Sequence, residues 1–471
     1  MRVLIVHFRS APPTATQGQC ANVDPQDSAG TDGVSLEMVK RRALLEEMGH
    51  EVAVCSAYNW AEFPVPALEF DSERTMSVVR DLFGANMDDC AGESELKAGF
   101  DSARAELKRQ LGDALKDFAP QLIFVHNILS LPVHPAATVS LAELLRETEL
   151  PCAAVHHDIL SEGAYKFTPS CDLANSILEQ YYPPMMPNLR HWTINTRNRR
   201  ALAKRDVDAE VIHDTMDFDH RLSTDEREDI RTCLRAKHDI ESHDVVLFAA
   251  ARIVPNKQTE LAGHLAAALQ GLRGDMTGKT LYNGEVFSSQ SRIVLVLAGR
   301  PERAFTDYQR SLYELFDSLQ ITWRYIGDDL RPCRLEDEDL YALYPDSYAM
   351  ADFVLYPSGW EGFGNQLLEA FAAGLPAAVF EYPVFKEDIA PKGVKVVSLG
   401  DTLLPERDDR GLVQIPQETL TRAAGEMAAI LTSREQVRDI ADNNIGVGRK
   451  HFSFDVLRRH LQDMLDWAGS R

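Results

Sequence analysis

The sequence has no excess of positive charge, no paired cysteines and no long apolar run. Its 49 lysines and arginines stand against 72 aspartates and glutamates, a formal charge of −23 over 471 residues. An acidic surface of that size repels nucleic acid and anionic lipid, so no nucleic-acid partner is expected and a membrane is disfavoured. The seven cysteines are scattered and odd in number, with neither a CxxC pair nor a Cys/His cluster at zinc spacing. They read as reduced thiols of a cytoplasmic protein. No stretch approaches the roughly 18 apolar residues that a membrane span needs. Val3–Phe8, followed by Arg9, reads as a first buried strand rather than a signal peptide. Internal repeats and low-complexity tracts are also missing.

What is present belongs to a globular chain of two or three domains: 45% of residues are hydrophobic and 26% charged. Apolar β-rich runs alternate with helical periodicity. The first half carries Val3–Phe8, Val52–Cys55, Leu122–Val125, Ala153–Val155, Trp192–Ile194 and Glu210–Ile212. The second carries Val245–Ala249, Ile293–Ala298, Trp323–Ile326, Phe353–Tyr356, Ala377–Phe380 and Val394–Ser398. Continuous runs, rather than alternation, indicate strands buried on both faces, with helices making the crossovers of a parallel sheet. Leu36–Met48 is one such helix, with Leu36, Val39, Ala43 and Leu44 as its apolar stripe and Gly49 as its stop. The expected fold is α/β: two doubly wound, Rossmann-like domains over residues 1–215 and 216–450, with a cleft between them where ligands bind. An amphipathic segment over 451–471, with Phe454, Leu457, Leu461, Met464 and Leu465 on one stripe, is expected to return to the first domain.

The richest stretch is Tyr356-Pro-Ser-Gly-Trp-Glu-Gly-Phe-Gly-Asn-Gln-Leu-Leu-Glu-Ala-Phe-Ala-Ala-Gly-Leu-Pro376. A buried strand leads into a turn in which Gly359, Gly362 and Gly364 allow backbone close to a ligand. A helix is predicted from Asn365, stopping at Gly374 ahead of Pro376. Its free N–H groups and dipole suit a phosphate or a sugar hydroxyl. Glu361 lies ahead of the helix and Glu369 just over a turn into it. With a diphosphate between them, one carboxylate can accept from hydroxyls of a transferred sugar and the other from ribose hydroxyls. Read blandly, the two are solvated glutamates favoured by the helix dipole.

Here the sequence resembles the retaining glycosyltransferases of family 4. Glu361 and Glu369 match that family's E-x7-E element, the EGFG and GLP surroundings match closely, and the likeness covers nearly the whole chain. The resemblance implies the GT-B fold, with an acceptor-side first domain and a second domain that binds a nucleotide-sugar. It implies a donor site of Glu361 on the hexose, Gly362, Phe363, Gly364 and Asn365 at the phosphates, and Glu369 on the ribose. In Ala251-Arg-Ile-Val-Pro-Asn-Lys257, Arg252 and Lys257 match the cation pair that the family uses on the diphosphate leaving group. Gly33, in Thr31-Asp-Gly-Val-Ser35, resembles the family's glycine loop after the first strand; the plain alternative is a helix capped by Thr31 or Asp32. Val155-His-His-Asp158 ends a strand where the family places a histidine against the donor hexose, and either His156 or His157 can fill that place. His126, Asn127, Tyr165 and Lys166 are the acceptor-side candidates. The basic run Asn195–Arg200 with Lys204 and Arg205 reads as a solvated helix, with an anionic acceptor as the weaker alternative, and Ser347–Asp352 as a mostly structural lead into the next strand.

The resemblance further implies retention of anomeric configuration without a dedicated carboxylate nucleophile. The leaving diphosphate itself would help deprotonate the acceptor, while Arg252 and Lys257 stabilise its charge. No cofactor and no metal site is required, with Mg2+ at most a stimulant; Asp328-Asp329 and Glu336–Asp339 read as solvated acidic runs. The VHHD segment and Glu381-Tyr-Pro-Val-Phe385 are similar to enzymes that build small glycosides, such as mannosylglucosylglycerate synthases and sucrose-phosphate-synthase-like proteins. That favours transfer of mannose or glucose from a GDP- or UDP-sugar to a small soluble, anionic acceptor. The rivals are transfer to a cell-envelope polysaccharide or glycolipid, a phosphorylase-like or hydrolytic enzyme, and a non-catalytic nucleotide-sugar-binding protein. The oligomeric state is left open, a homodimer included.

Overall fold

Each apolar run read as a strand forms one, and the strands pair in parallel throughout both sheets. The computed structural model describes residues 1–10, 32–84, 93–160, 167–220, 222–330 and 345–471. The chain divides into two units, Met1–Asp214 with Leu457–Arg471, and Thr215–Val456.

The first unit begins with β1 (Arg2–Val6), α1 (Gly33–Glu47), β2 (Glu51–Ser56) and β3 (Phe63–Pro64), followed by α2 (Glu73–Phe83) and α3 (Glu93–Phe118). It continues through β4 (Leu122–His126), α4 (Pro135–Thr148), β5 (Cys152–His156) and α5 (Asp172–Tyr181) to β6 (Leu189–Thr193), α6 (Thr196–Ala203) and β7 (Ala209–Val211). The strand order is β3-β2-β1-β4-β5-β6-β7, so the order reverses between β1 and β4. β4 and β5 are buried at every position, as strands covered on both faces must be. The two-residue β3 was too short to leave a pattern in the sequence.

Helix α1 departs from its predicted stripe. Of Leu36, Val39, Ala43 and Leu44, only Leu44 is buried; the inner face is Ser35, Glu37, Met38, Arg41, Leu44 and Leu45. Positions 37, 41, 44 and 45 share one face at 3.6 residues per turn, and the charges on it are tolerable because they pair: Arg41 Nη1 lies 3.1 Å from Glu37 Oε2.

The second unit runs α7 (Thr224–Lys237), β8 (Val245–Ala249), α8 (Thr259–Gly271), α9 (Arg273–Met276), β9 (Ile293–Leu297), α10 (Thr306–Ser318) and β10 (Thr322–Tyr325). After β11 (Phe353–Tyr356) come α11 (Asn365–Ala372), β12 (Ala377–Val379), β13 (Val397–Ser398), α12 (Gln417–Leu431) and α13 (Arg434–His451). Its strand order, β10-β9-β8-β11-β12-β13, reverses between β8 and β11. A buried carboxylate fixes α7 to this sheet: Asp352 accepts from Arg231 at 2.5 Å, from Arg235 at 2.7 Å and from the Val246 N–H at 2.7 Å. Burial alone would raise its pKa, but the Arg235 and Arg231 guanidiniums hold it at about 2.

The last helix, α14 (Phe454–Gly469), returns to the first unit at Leu457. Leu457, Leu461, Met464, Leu465 and Ala468 form its buried stripe. His460 meets Glu210 at 2.9 Å, and the Arg190 guanidinium lies 4.5 Å from the centre of the Trp467 ring. Among the described residues no helix is long and apolar enough to cross a membrane.

Candidate active site

The loops that follow β8 and β11 meet where the strand order of the second unit reverses, the place where doubly wound sheets bind ligands. They are laced by the Gly359 N–H, which donates to the Asn256 carbonyl at 3.0 Å. After β8, a single turn of 3₁₀ helix, Pro255–Lys257, turns Lys257 inward. After β11, the chain passes Ser358 and Gly359 and brings Glu361 to the same point. Lys257 Nζ donates to Glu361 Oε2 at 2.6 Å, with both side chains 9% exposed. The other carboxylate oxygen, Glu361 Oε1, and the Ser358 hydroxyl are buried without a hydrogen-bond partner.

Tyrosines enclose this pair. Burial first, and then the Glu361 carboxylate, push the Tyr356 and Tyr382 phenols well above their usual pKa, so both remain protonated. Tyr382 donates to the Phe363 carbonyl at 2.6 Å, holding the turn ahead of α11. Gly364 has φ +133, and a Cβ there would lie 2.4 Å from the Tyr382 hydroxyl, so the turn admits only glycine. Helix α11 starts at the predicted residue, Asn365, and no side chain caps it. One turn on, Glu369 Oε2 accepts from the Tyr348 hydroxyl at 2.7 Å. Tyr348 lies in the segment that the sequence marks as mostly structural.

Arg252 is placed differently. Its side chain is 59% exposed and paired with Glu302 in the loop after β9. The same loops touch at Gly299, where a Cβ would come within 1.8 Å of the Ala251 carbonyl oxygen.

In the first unit, the strand ends bring together a second polar group. His126 Nδ1 and His157 Nε2 are 3.0 Å apart, and His7 Nδ1 lies 2.8 Å from the His126 carbonyl oxygen. His157 Nδ1 faces Asp214 at 3.9 Å. Asn127 Oδ1 accepts from the backbone N–H of His157 at 2.8 Å and of Asp158 at 3.1 Å, and its amide donates to Asp158 at 2.9 Å. His156 points the other way, to His191 at 3.0 Å. Burial, and then neighbouring positive groups, depress His126 and His157 well below the ordinary histidine pKa, so both are neutral imidazoles. Burial raises Asp214 and Asp158 in the opposite sense.

Gly33 is the first residue of α1, and Asp32 is its cap: the Asp32 carboxylate accepts from the Val34 and Ser35 N–H groups, each at 3.0 Å. Two of the N–H groups that an anion would use there are thus taken by Asp32. Thr31, Tyr165, Lys166 and Glu336–Asp339 lie outside the described residues. Asp328 and Asp329 occupy an exposed 3₁₀ turn, with Asp329 paired to Lys237. Among the described residues no three His, Cys, Asp or Glu side chains converge as metal ligands would.

Sequence reasoning did not reach His7, Glu37, Arg41, Asp214, Tyr348 or Glu302. Only Glu37 and Arg41 left a signal, as a charged i, i+4 pair in phase with Met38, Leu44 and Leu45.

Two parallel, doubly wound units, the second with an acidic glycine turn leading into an uncapped helix, make up the GT-B fold. Residues 231–398 match the family described as glycosyl transferases group 1. The chain is 33% identical over 437 residues to the mannosylglucosylglycerate synthase of Thermotoga maritima, covering 92% of this chain and 96% of that one. Among solved structures, the sucrose-phosphate synthase of Thermosynechococcus elongatus matches at a TM-score of 0.59, with 13% identity over 100% of this chain and 99% of that one. Anabaena HepE in complex with UDP and glucose matches at 0.53, with 15% identity and 99% of both chains covered. The chain belongs to the group 1 glycosyltransferases.

Proposed function

We propose that the protein transfers a mannosyl group from a nucleoside diphosphate sugar to a glycerate glycoside, glucosylglycerate being the first acceptor to test, with retention at the anomeric carbon. The choice of sugar and acceptor is supported by the likeness to the Thermotoga maritima synthase along 92% of this chain. The donor reading is carried by one observation, the buried Lys257–Glu361 pair beside the uncapped start of α11.

Without a donor, each member of that pair neutralises the other. When the donor enters, Lys257 passes to the diphosphate and Glu361 is freed to accept from hydroxyls of the hexose, where its unpartnered Oε1 already offers a lone pair. Arg252 leaves Glu302 for the phosphates, which are a doubly ionised competitor for an exposed guanidinium. The N–H groups at the start of α11, from Gly364 and Asn365 onward, take the remaining phosphate oxygens. Glu369, steadied by Tyr348, accepts from the ribose. In the first unit, His126, His157 and Asn127 meet the substrate sugar; His157 is preferred over His156 because it belongs to the polar cluster with His126 and Asp214, whereas His156 turns away to His191.

In the transfer, the bond between the anomeric carbon and the diphosphate oxygen breaks and a bond to the acceptor oxygen forms. The acceptor hydroxyl proton passes to the leaving diphosphate. Lys257 and Arg252 stabilise the charge that develops there, so the chain's share is positioning and electrostatics, with no metal and no cofactor needed. The reaction is placed in the cytoplasm.

A panel of GDP, UDP and ADP tests the donor site by thermal stabilisation, followed by turnover of the matching sugar nucleotides with glycerate, glucosylglycerate and simple sugars. The nucleotide of the true donor raises the melting temperature. If none of the three does, the donor reading fails. Glu361→Ala should abolish transfer and leave nucleotide binding in place; loss of nucleotide affinity would move Glu361 from the hexose to the nucleotide.

A further inference from the structure

Helix α1 carries a guanidinium where its neighbours on the same face carry leucine and methionine. Arg41 is wholly buried, and so is Glu37 one turn before it. Nη1 of Arg41 donates to the carbonyl oxygen and to Oε2 of Glu37, each at 3.1 Å. Its Nε and Nη2 are buried and donate to nothing. Those two atoms form one edge of the guanidinium, the edge that holds a carboxylate by two parallel N–H···O bonds. Glu37 is shared, since its other carboxylate oxygen accepts from Lys40 at 2.6 Å.

The surroundings are those of the first unit's polar cluster. A helical side chain leans back toward the helix N-terminus, and α1 begins at the carboxyl end of the sheet. Arg41 bears electrostatically on His126, His157 and Asp214, at the ends of β4, β5 and the loop after β7. Burial raises Asp214 and Asp158, the carboxyls of that cluster, above the usual carboxylate range.

We propose that Arg41 is the residue that recognises an acidic acceptor, its Nε–Nη2 edge binding the carboxylate of the glycerate glycoside in a bidentate pair. This rests on the acceptor reading given above and adds the group that tells an acidic acceptor from a neutral one.

The test compares two acceptors that differ only at that group, glucosylglycerate and glucosylglycerol, at saturating donor. The wild type should favour the acid by about 10- to 100-fold in kcat/KM, the range of a charge-assisted pair. Arg41→Gln should remove most of that preference through the KM for the acid, with nucleotide-induced thermal stabilisation unchanged. Arg41→Lys, which keeps the charge but not the fork, should fall between. If Arg41→Gln does not fold, the wild type still decides: glycerate should compete with glucosylglycerate and glycerol should not. Equal turnover of the two glycosides, an equal loss of both in the variants, or failure of glycerate to compete would overturn the assignment and leave the donor reading standing. A wild type inert toward both glycosides overturns the acceptor reading, and the role of Arg41 with it.

Discussion

Removing Lys257 should destabilise the second unit more than removing any surface lysine. Its ammonium and the Glu361 carboxylate are 2.6 Å apart with side chains only 9% exposed, so Lys257→Met strands a carboxylate in a site built for an ion pair. Breaking a buried pair from one side costs about 3–5 kcal/mol, and the residual exposure here argues for about 3. For a unit of this size, that lowers the melting temperature by roughly 6–12 °C. Glu361→Gln should be milder, at about 1–2 kcal/mol, because a stranded lysine can swing its flexible stem toward water. The double variant should be more stable than the sum of the single losses predicts, by at least about 1 kcal/mol. The assay is thermal unfolding of the wild type, the two single variants and the double variant, each with and without the nucleotide that stabilises the wild type most. That nucleotide should help Glu361→Gln most, by replacing the lost partner of Lys257, and Lys257→Met least. Strict additivity, or a Lys257→Met variant that melts within about 1 °C of the wild type, would refute the reasoning.

Two further outcomes follow from the buried polar groups. His7, His126, His134, His156, His157 and His191 all have pKa values pushed below 6.5 by burial, His134 and His191 to about 4. The unfolded chain therefore takes up protons below about pH 6.5 that the folded unit refuses, so stability is full above that pH and falls as pH drops. His134 and His191, held at about 4, each contribute about 1.4 kcal/mol of loss by pH 5.5, and the raised Asp158 and Asp214 offset part of it, since folding favours their protonated forms. Melting temperatures at pH 7.5, 6.5 and 5.5 should step downward; a flat series contradicts the buried-neutral assignment. Separately, Tyr348→Phe should weaken nucleotide binding by roughly tenfold with little change in kcat, since a hydrogen bond to a carboxylate contributes about 1.5 kcal/mol. Isothermal titration reads that change, and an unaltered affinity would detach Tyr348 from the donor site.

The architecture was legible because parallel strands buried on both faces must be apolar throughout, and runs such as Val245–Ala249 and Leu122–Val125 have no other simple reading. The turn and helix after β11 were legible too, since the glycines and the predicted start at Asn365 are local features. What could not be read was any pairing that depends on strand order. Lys257 and Glu361 lie 104 positions apart and meet only because β8 and β11 are neighbours. His7 and His126 meet for the same reason at the ends of β1 and β4. The inner face of α1 differs from its apolar stripe for another cause: the buried face holds Glu37 and Arg41 as a mutually neutralising pair. A charged i, i+4 pair in phase with Met38 and Leu45 is the pattern that would have shown it. His156 and His157 were inseparable in sequence, and only their opposite partners, His191 and His126, tell them apart.

The most direct test of the account is a single incubation of the protein with glucosylglycerate and GDP-, UDP- or ADP-mannose, followed by proton NMR. The account predicts release of one nucleoside diphosphate for each new glycoside, with the anomeric proton of the transferred mannose showing the configuration of the donor. Nucleotide release with free mannose and no new glycoside, or a product of inverted configuration, would contradict it.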